Sequence, residues 1–287
     1  SLVGSEMCIR DSTNVYQCML TVSDNLSTFT GMLNDNNFEV KEFNMLTDEI
    51  PEDASIVVLG KPTTDYTSEE LSKLEAYLDD EKMASSRTLY VTAYPTQSWA
   101  DMPNLKSFLA EWGLEPQTGV LFESDMNNVL TTQDASPAYL FANVTDKVLS
   151  GTYNNVIAAA AAPVKRLFTA NNDISTYSIL ETSDTAYLTT TQEVEENPNT
   201  DTYTITGLAQ RYMDNQGKIC ANVVVDGNSM GYLGNSTFGN KDYTLDFIKN
   251  LTGTTDTRVG LVVNQTQTNT LDISASSAVI QTIGLGL

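Results

Sequence analysis

The chain contains no histidine among its 287 residues. That absence excludes Ser–His–Asp and Cys–His catalysis, histidine-ligated zinc and imidazole proton shuttles together. Cysteine is scarce as well: Cys8, Cys18 and Cys220 form no C-x-x-C pair. Cys18 and Cys220 lie in the apolar runs YQCML and KICANVVV, where buried, inert thiols are expected; a disulfide between them would require their strands to be neighbours. Basic residues are few, 15 against 37 acidic ones, for a formal charge of −22. Such a field repels phosphate backbones and excludes nucleic acid as a partner. No D-x-D-x-D-G calcium loop occurs. Gly234–Lys241 (GNSTFGNK) approaches a phosphate loop, but Asn240 separates Gly239 from Lys241, and Asp242 stands where the magnesium-binding hydroxyl belongs. No metal and no cofactor is expected.

What remains is a globular, acidic chain. Hydrophobic residues make up 41% and charged residues only 18%, the latter below the usual level of about 25%. Polarity comes instead from 37 Thr and 24 Asn, a surface common on extracytoplasmic proteins. At this length roughly three quarters of the unfolded chain's surface can be buried, so a core needs no staples.

Periodicity predicts the elements. Val15–Val22 reads as a buried strand, with Ser23 capping a helix through about Leu33. Strands follow at Phe38–Phe43, Ser55–Leu59, Arg87–Ala93 and Gly119–Glu123. Between them, Thr67 or Ser68 caps the amphipathic helix SEELSKLEAYLDDE, and Asn104 caps a second helix that stops at Gly113. The β-α-β-β-α-β-α-β order with short connections predicts an α/β fold, a doubly wound and largely parallel sheet. From about Asn127 to Tyr212 short β-like runs predict an antiparallel extension in the middle of the chain. Lys218–Asp226 is a further buried strand, and Tyr243–Leu251 a closing helix ended by Gly253.

The ends stand apart. Residues 1–12 (SLVGSEMCIRDS) fit no structural pattern and resemble the translated sequencing-adapter segment of metagenomic gene predictions; a short natural arm is the alternative. The domain proper is expected over residues 13–255. Residues 256–287, rich in Thr, Asn, Gln and Ser before the apolar Ala278–Leu287, are expected to be a stalk leading toward a transmembrane helix and a basic cytoplasmic end.

Candidate site residues follow from the expected sheet. The turn after Asp226 (DGNSMG) sits at the carboxyl end of a buried strand, the edge where open α/β sheets bind ligands. Lys61-Pro62-Thr63-Thr64 and Tyr94-Pro95-Thr96 are expected to open on the same edge. The candidate binding residues are therefore Lys61, Thr63, Tyr94, Asp226, Asn228 and Ser229, with turn chemistry and no ligand as the alternative. No catalytic residue is assigned, because carboxylates are too abundant for any chosen pair to be informative.

Several stretches together resemble one family. Ile50 and Pro51 before a strand, Pro62 and Asp65 in a Pro-x-x-Asp turn, then Glu70, Leu71, Leu74, Tyr77 and Leu78 in the helix are similar to GldG-type auxiliary proteins of ABC transporters, related to the gliding-motility component. Asn104-Leu105 through Gly113-Leu114 is similar to that family's Asn-Leu helix, with Trp112 in place of Tyr. Asp226–Leu251 resembles its final signature, with Asn228 and Ser229 in the turn and Asn240 before the helix. The usual Gly-Gly is replaced around Lys82–Ser86, and Thr21-Val22-Ser23-Asp24 stands where members often carry Gly-His. The resemblance covers roughly residues 14–275.

It implies a sheet of the glutamine-amidotransferase-like or flavodoxin-like kind, without the nucleophilic Cys and the His those enzymes need. It further implies a non-catalytic domain on the extracytoplasmic face of a bacterial cell membrane. Its partners would be ABC permease and ATPase subunits, its anchor a membrane segment beyond this sequence. Two alternatives stand beside it: a solute- or glycan-binding domain, if Tyr94, Trp99 and Trp112 line one open cleft, and a hydrolase working with carboxylates alone.

Overall fold

The computed structural model describes residues 5–11, 16–18, 24–79, 86–131, 136–145, 147–190, 194–213, 217–228 and 232–253. The first half comprises β1 (Ser5–Asp11), β2 (Tyr16–Cys18), α1 (Asp24–Asp35), β3 (Phe38–Phe43), β4 (Ala54–Gly60), α2 (Ser68–Leu78), β5 (Arg87–Thr92) and α3 (Pro103–Glu111). Short strands follow: β6 (Leu114–Pro116), β7 (Val120–Glu123), β8 (Tyr139–Val144), β9 (Val156–Ala159), β10 (Val164–Arg166) and β11 (Ala170–Asn171). The remainder is β12 (Ile174–Glu181), β13 (Ala186–Thr189), β14 (Thr204–Tyr212), β15 (Ile219–Asp226) and α4 (Asn240–Thr252).

The main sheet runs β1-β3-β2-β4-β5-β15-β14-β12-β8-β9, with β11 beside β12. Only β2–β3, β2–β4, β4–β5 and β5–β15 pair in parallel. The other ten pairings among the described residues are antiparallel. The expected doubly wound, largely parallel α/β sheet of the flavodoxin-like or glutamine-amidotransferase-like kind is thereby overturned. The fold is mostly β, a mixed sheet with four α-helices among the described residues. The reason is local to the chain after α3. There β6 and β7 leave the main sheet to pair with β10 and β13, and hairpin-linked antiparallel strands need no crossover helix. Residues 5–11, within the segment set aside as an artefact, form a strand antiparallel to β3 and β4. The stalk expected over 256–287 lies outside the described residues, as do Ser23 and the Lys82–Ser85 loop. No helix of the described residues is long and apolar enough to cross a membrane.

Strands β4 and β5 are buried along their whole length, as central parallel strands are expected to be. Along β4, Ile56 and Val58 face α1 and α4 through Phe29, Leu33, Phe247 and Ile248. Val57 and Leu59 face α2 and α3 through Leu74, Leu78, Leu105 and Leu109. Local chemistry sets the helix ends. Thr67 and Glu70 form a reciprocal capping box on α2, and Gly253 closes α4 in the left-handed region at φ +66°. Asn104 does not cap α3. Its carboxamide donates to the Tyr66 carbonyl, and the exposed N–H groups of Asn104 and Leu105 are taken by the two Asp65 oxygens at 2.9 and 3.0 Å.

At the far edge Asn240 replaces a strand. Its Oδ1 accepts from the Ile157 N–H at 2.9 Å and its Nδ2 donates to the Ile157 carbonyl at 2.8 Å, so one side chain makes the two bonds of a ladder rung to β9. Two strands, β4 and β5, separate β2 from β15, so Cys18 and Cys220 are not on neighbouring strands, and Cys220 is a free thiol.

Candidate functional site

Three parallel strands, β4, β5 and β15, end side by side, and five of the six candidate residues lie at or just beyond those ends. Ser229 lies outside the described residues. Register places Leu59 beside Val91 and Thr92 beside Asp226, so the chain leaves β4 at Lys61, β5 at Tyr94 and β15 at Asn228 along one edge.

Asp226 is 5% exposed and has no cationic partner among the described residues. Its carboxylate is instead met by three donors: the Tyr90 hydroxyl at 2.5 Å, the Thr206 hydroxyl at 2.8 Å and the Asn228 backbone N–H at 3.0 Å. Burial pushes the Asp226 carboxyl above its ordinary value, while the Tyr90, Asn228 and Thr206 hydrogen bonds pull it back. Burial and then the Asp226 charge hold the Tyr90 and Tyr243 phenols far above theirs, so both stay protonated. The turn beyond Asp226 is closed: Gly227 donates to the Ile205 carbonyl and accepts from Ala162 N–H, each at 2.9 Å. A Cβ on Gly227 would fall inside the contact radius of the Ala162 carbonyl oxygen, a place only glycine fits.

Lys61 occupies the left-handed region, φ +51°, uncommon for a residue with a Cβ. Its N–H donates to the Thr92 hydroxyl at 2.6 Å, and its ammonium lies 4.9 Å from the centre of the Tyr94 ring. Thr63 is exposed beside it. The loops after β4 and β5 are joined by Gln97, which donates to the Pro62 carbonyl at 2.7 Å and accepts from the Tyr94 N–H at 2.5 Å. The structure thus brings Lys61 together with Tyr94, and Asp226 together with Asn228.

Sequence reasoning missed Gln97, Thr92, Tyr90 and Thr206. Thr92, Tyr90 and Thr206 carried a readable signal, a polar atom inside an apolar strand. Gln97 carried none.

The described cavities lie elsewhere. One of about 470 Å³ is lined by Glu49, Pro51, Glu52, Lys73, Tyr77 and Arg87, at the amino ends of β4 and β5. Arg87, 2% exposed, donates there to the Ala54 and Glu52 carbonyls and lies 4.8 Å from the centre of the Tyr77 ring. Smaller clefts of about 280 and 360 Å³ flank Arg211, which pairs with Asp79 at 2.7 Å. Trp99 and Trp112 are 2% and 7% exposed, so the open aromatic cleft on which a glycan-binding reading rested is not formed by these rings. Among the described residues no cluster of His, Cys, Asp and Glu is arranged to hold a metal ion.

No protein-family profile matches the chain, and no curated protein matches it. Among solved structures, the mmIFT52 N-terminal domain is similar at 16% identity, over 74% of this chain and 84% of that one, with a TM-score of 0.49.

Proposed function

We propose that this is a non-catalytic accessory domain of an ABC transport system. It works on the outer face of the cytoplasmic membrane and binds a partner or ligand through the edge where β4, β5 and β15 end. The observation that carries the reading is the use made of the motif residues. Asp65 of the Pro-x-x-Asp turn accepts from the N–H groups of Asn104 and Leu105, which open the next motif. Asn240 of the last motif holds β9. The first two motifs, about forty residues apart, thus serve one another as a folding skeleton. Among the described residues of the candidate edge, the one strongly buried carboxyl, Asp226, has its oxygens occupied by Tyr90, Thr206 and Asn228, an arrangement that favours a structural role over that of a general acid or base.

The test is co-purification. The full-length protein, solubilised from membranes, is expected to bring down a multi-span permease and an ATPase with a true Walker A motif. A clean pull-down without any membrane partner overturns the reading.

A further inference from the structure

The amino ends of the parallel strands hold carboxylates that folding alone does not call for. Register sets Arg211 of β14 beside Ala221 of β15, and Ala221 beside Arg87 of β5, so the two clefts that flank Arg211 open at that end of the sheet. Helices α2 and α3 finish there too: Leu78 and Asp79 line both clefts, and Glu111 and Trp112 line the smaller one.

A helix carries partial negative charge at its carboxyl end, where Lys, Arg or His is stabilising and Asp or Glu is not. The rule is kept in α4, with Lys249 in its last turn. It is broken in α2 and α3, whose last turns hold no basic residue. Glu75 lies in the last turn of α2, Asp79 caps that helix, and Glu111 is the final residue of α3. All three line the smaller cleft, and Asp173 adds a carboxylate to the larger. Arg211 is the one cation among the described lining residues of these two clefts, and it is committed to Asp79 at 2.7 Å and to the Leu78 carbonyl at 2.8 Å. Glu75, Glu111 and Asp173 are exposed and pair with no cation among the described residues.

Between these carboxylates the walls are apolar. Leu78, Phe108 and Trp112 are at most 7% exposed, Ile174 is half-buried beside them, and Met213 borders the larger cleft. Apolar walls do not suit a hard metal ion, which takes six or more oxygen ligands. They fit an organic cation with an aliphatic stem and a charged head. Arg211 displays that fit within the protein, its guanidinium on Asp79 and 5.1 Å from the centre of the Trp112 ring. Clefts of about 280 and 360 Å³ on two sides of one guanidinium call for a ligand that carries more than one cation on a single chain. The field of a domain of charge −22 draws such a chain in.

We infer that the paired clefts around Arg211 dock a basic segment of a partner polypeptide, its Arg or Lys stems on Phe108, Trp112 and Leu78 and its charges on Glu75, Glu111 and Asp173. This surface lies at the opposite end of the parallel strands from the edge proposed above, and the inference does not depend on that reading.

The experiment measures binding of the whole chain to a fluorescent, end-blocked nonapeptide of alternating Arg and Ala, with the Gln-for-Arg peptide and spermidine as comparisons. Wild type is expected to bind the Arg peptide, to release it in about 0.5 M salt, and to ignore the Gln peptide. Glu75→Gln combined with Glu111→Gln should weaken binding about tenfold. Glu195→Gln combined with Glu196→Gln makes the same change of net charge at exposed positions elsewhere, and should leave affinity within about twofold of wild type. Because Glu75 and Glu111 oppose their helix ends, their replacement should leave Tm unchanged or raised. Equal losses in the two double variants would mean that the peptide reads net charge alone, and overturn the inference. So would a lowered Tm in the Glu75→Gln, Glu111→Gln variant, which makes those carboxylates structural, or no binding of the Arg peptide. Spermidine binding as tightly as the peptide makes the ligand a small polyamine and overturns the polypeptide partner.

Discussion

The two ends of the parallel strands are built on opposite plans. At the carboxyl end the buried groups Asp226 and Gln97 are consumed internally. Asp226 is surrounded by hydroxyls and an N–H, Gln97 ties two loops, and the Gly227 backbone is locked between Ile205 and Ala162. At the amino end two guanidinium groups, Arg87 and Arg211, lean on backbone carbonyls and aromatic rings beside open cavities. The rule that open α/β sheets leave a crevice at their carboxyl edge fails here for a visible reason. The neighbour of β15 is the antiparallel β14, whose return brings Ile205 against the turn and fills the space a parallel neighbour would leave.

Substitutions sharpen the contrast. The largest effect is expected from Gly227→Ala, which drives a methyl into the Ala162 carbonyl; backbone must move, and stability should fall by about 3 kcal/mol. A urea midpoint within error of wild type would show that the carboxyl edge is not rigid. At the other end, Arg87→Met keeps much of the side-chain volume but strips the Ala54 and Glu52 carbonyls of their donor, for a loss of about 2 kcal/mol in the same measurement. Asp65→Ala removes the cap of α3 and should cost about 1 kcal/mol, with Asp65→Asn losing less because it can still accept one of the two N–H groups.

The smallest effect is one of pH. The Asp226 carboxyl is raised in the folded protein above its ordinary value of 3.8, so the native state holds that proton more tightly than the unfolded chain. The stabilisation from this group is complete below 3.8, declines as pH rises through the raised native value, and is absent above it. Asp226→Asn does not titrate there. Unfolding free energies measured across mildly acid pH should show wild type losing stability relative to the variant as pH rises. Parallel curves would mean that Asp226 titrates alike in both states.

Legibility in the sequence follows the range of the interactions. β4 and α2 were readable because Ile56–Leu59 is an unbroken apolar run and Thr67, Glu69 and Glu70 mark a helix start within a few residues. β15 and the Gly253 stop of α4 were readable for the same reason. The partner of β7 was not: VLFE would fit either sheet, and its pairing with β13 lies more than sixty residues away. One error of partner was enough to turn a mixed, mostly antiparallel sheet into an expected parallel one. At the candidate site, strand direction placed Lys61, Tyr94, Asp226 and Asn228 on one edge, and the structure does so too. Gln97 was invisible because its purpose exists only when loops 35 residues apart meet.

The Asn240 rung on β9 has a consequence in time as well as in space. Ile157 and Asn240 are 83 residues apart, so a chain emerging from the ribosome completes the strand long before the side chain that covers it. Through that interval the outer edge of β9 shows unpaired N–H and C=O groups, the feature by which nascent strands capture one another. Its closure awaits α4, so any ribosome-bound chain truncated before residue 240 should be far more prone to associate than the finished domain.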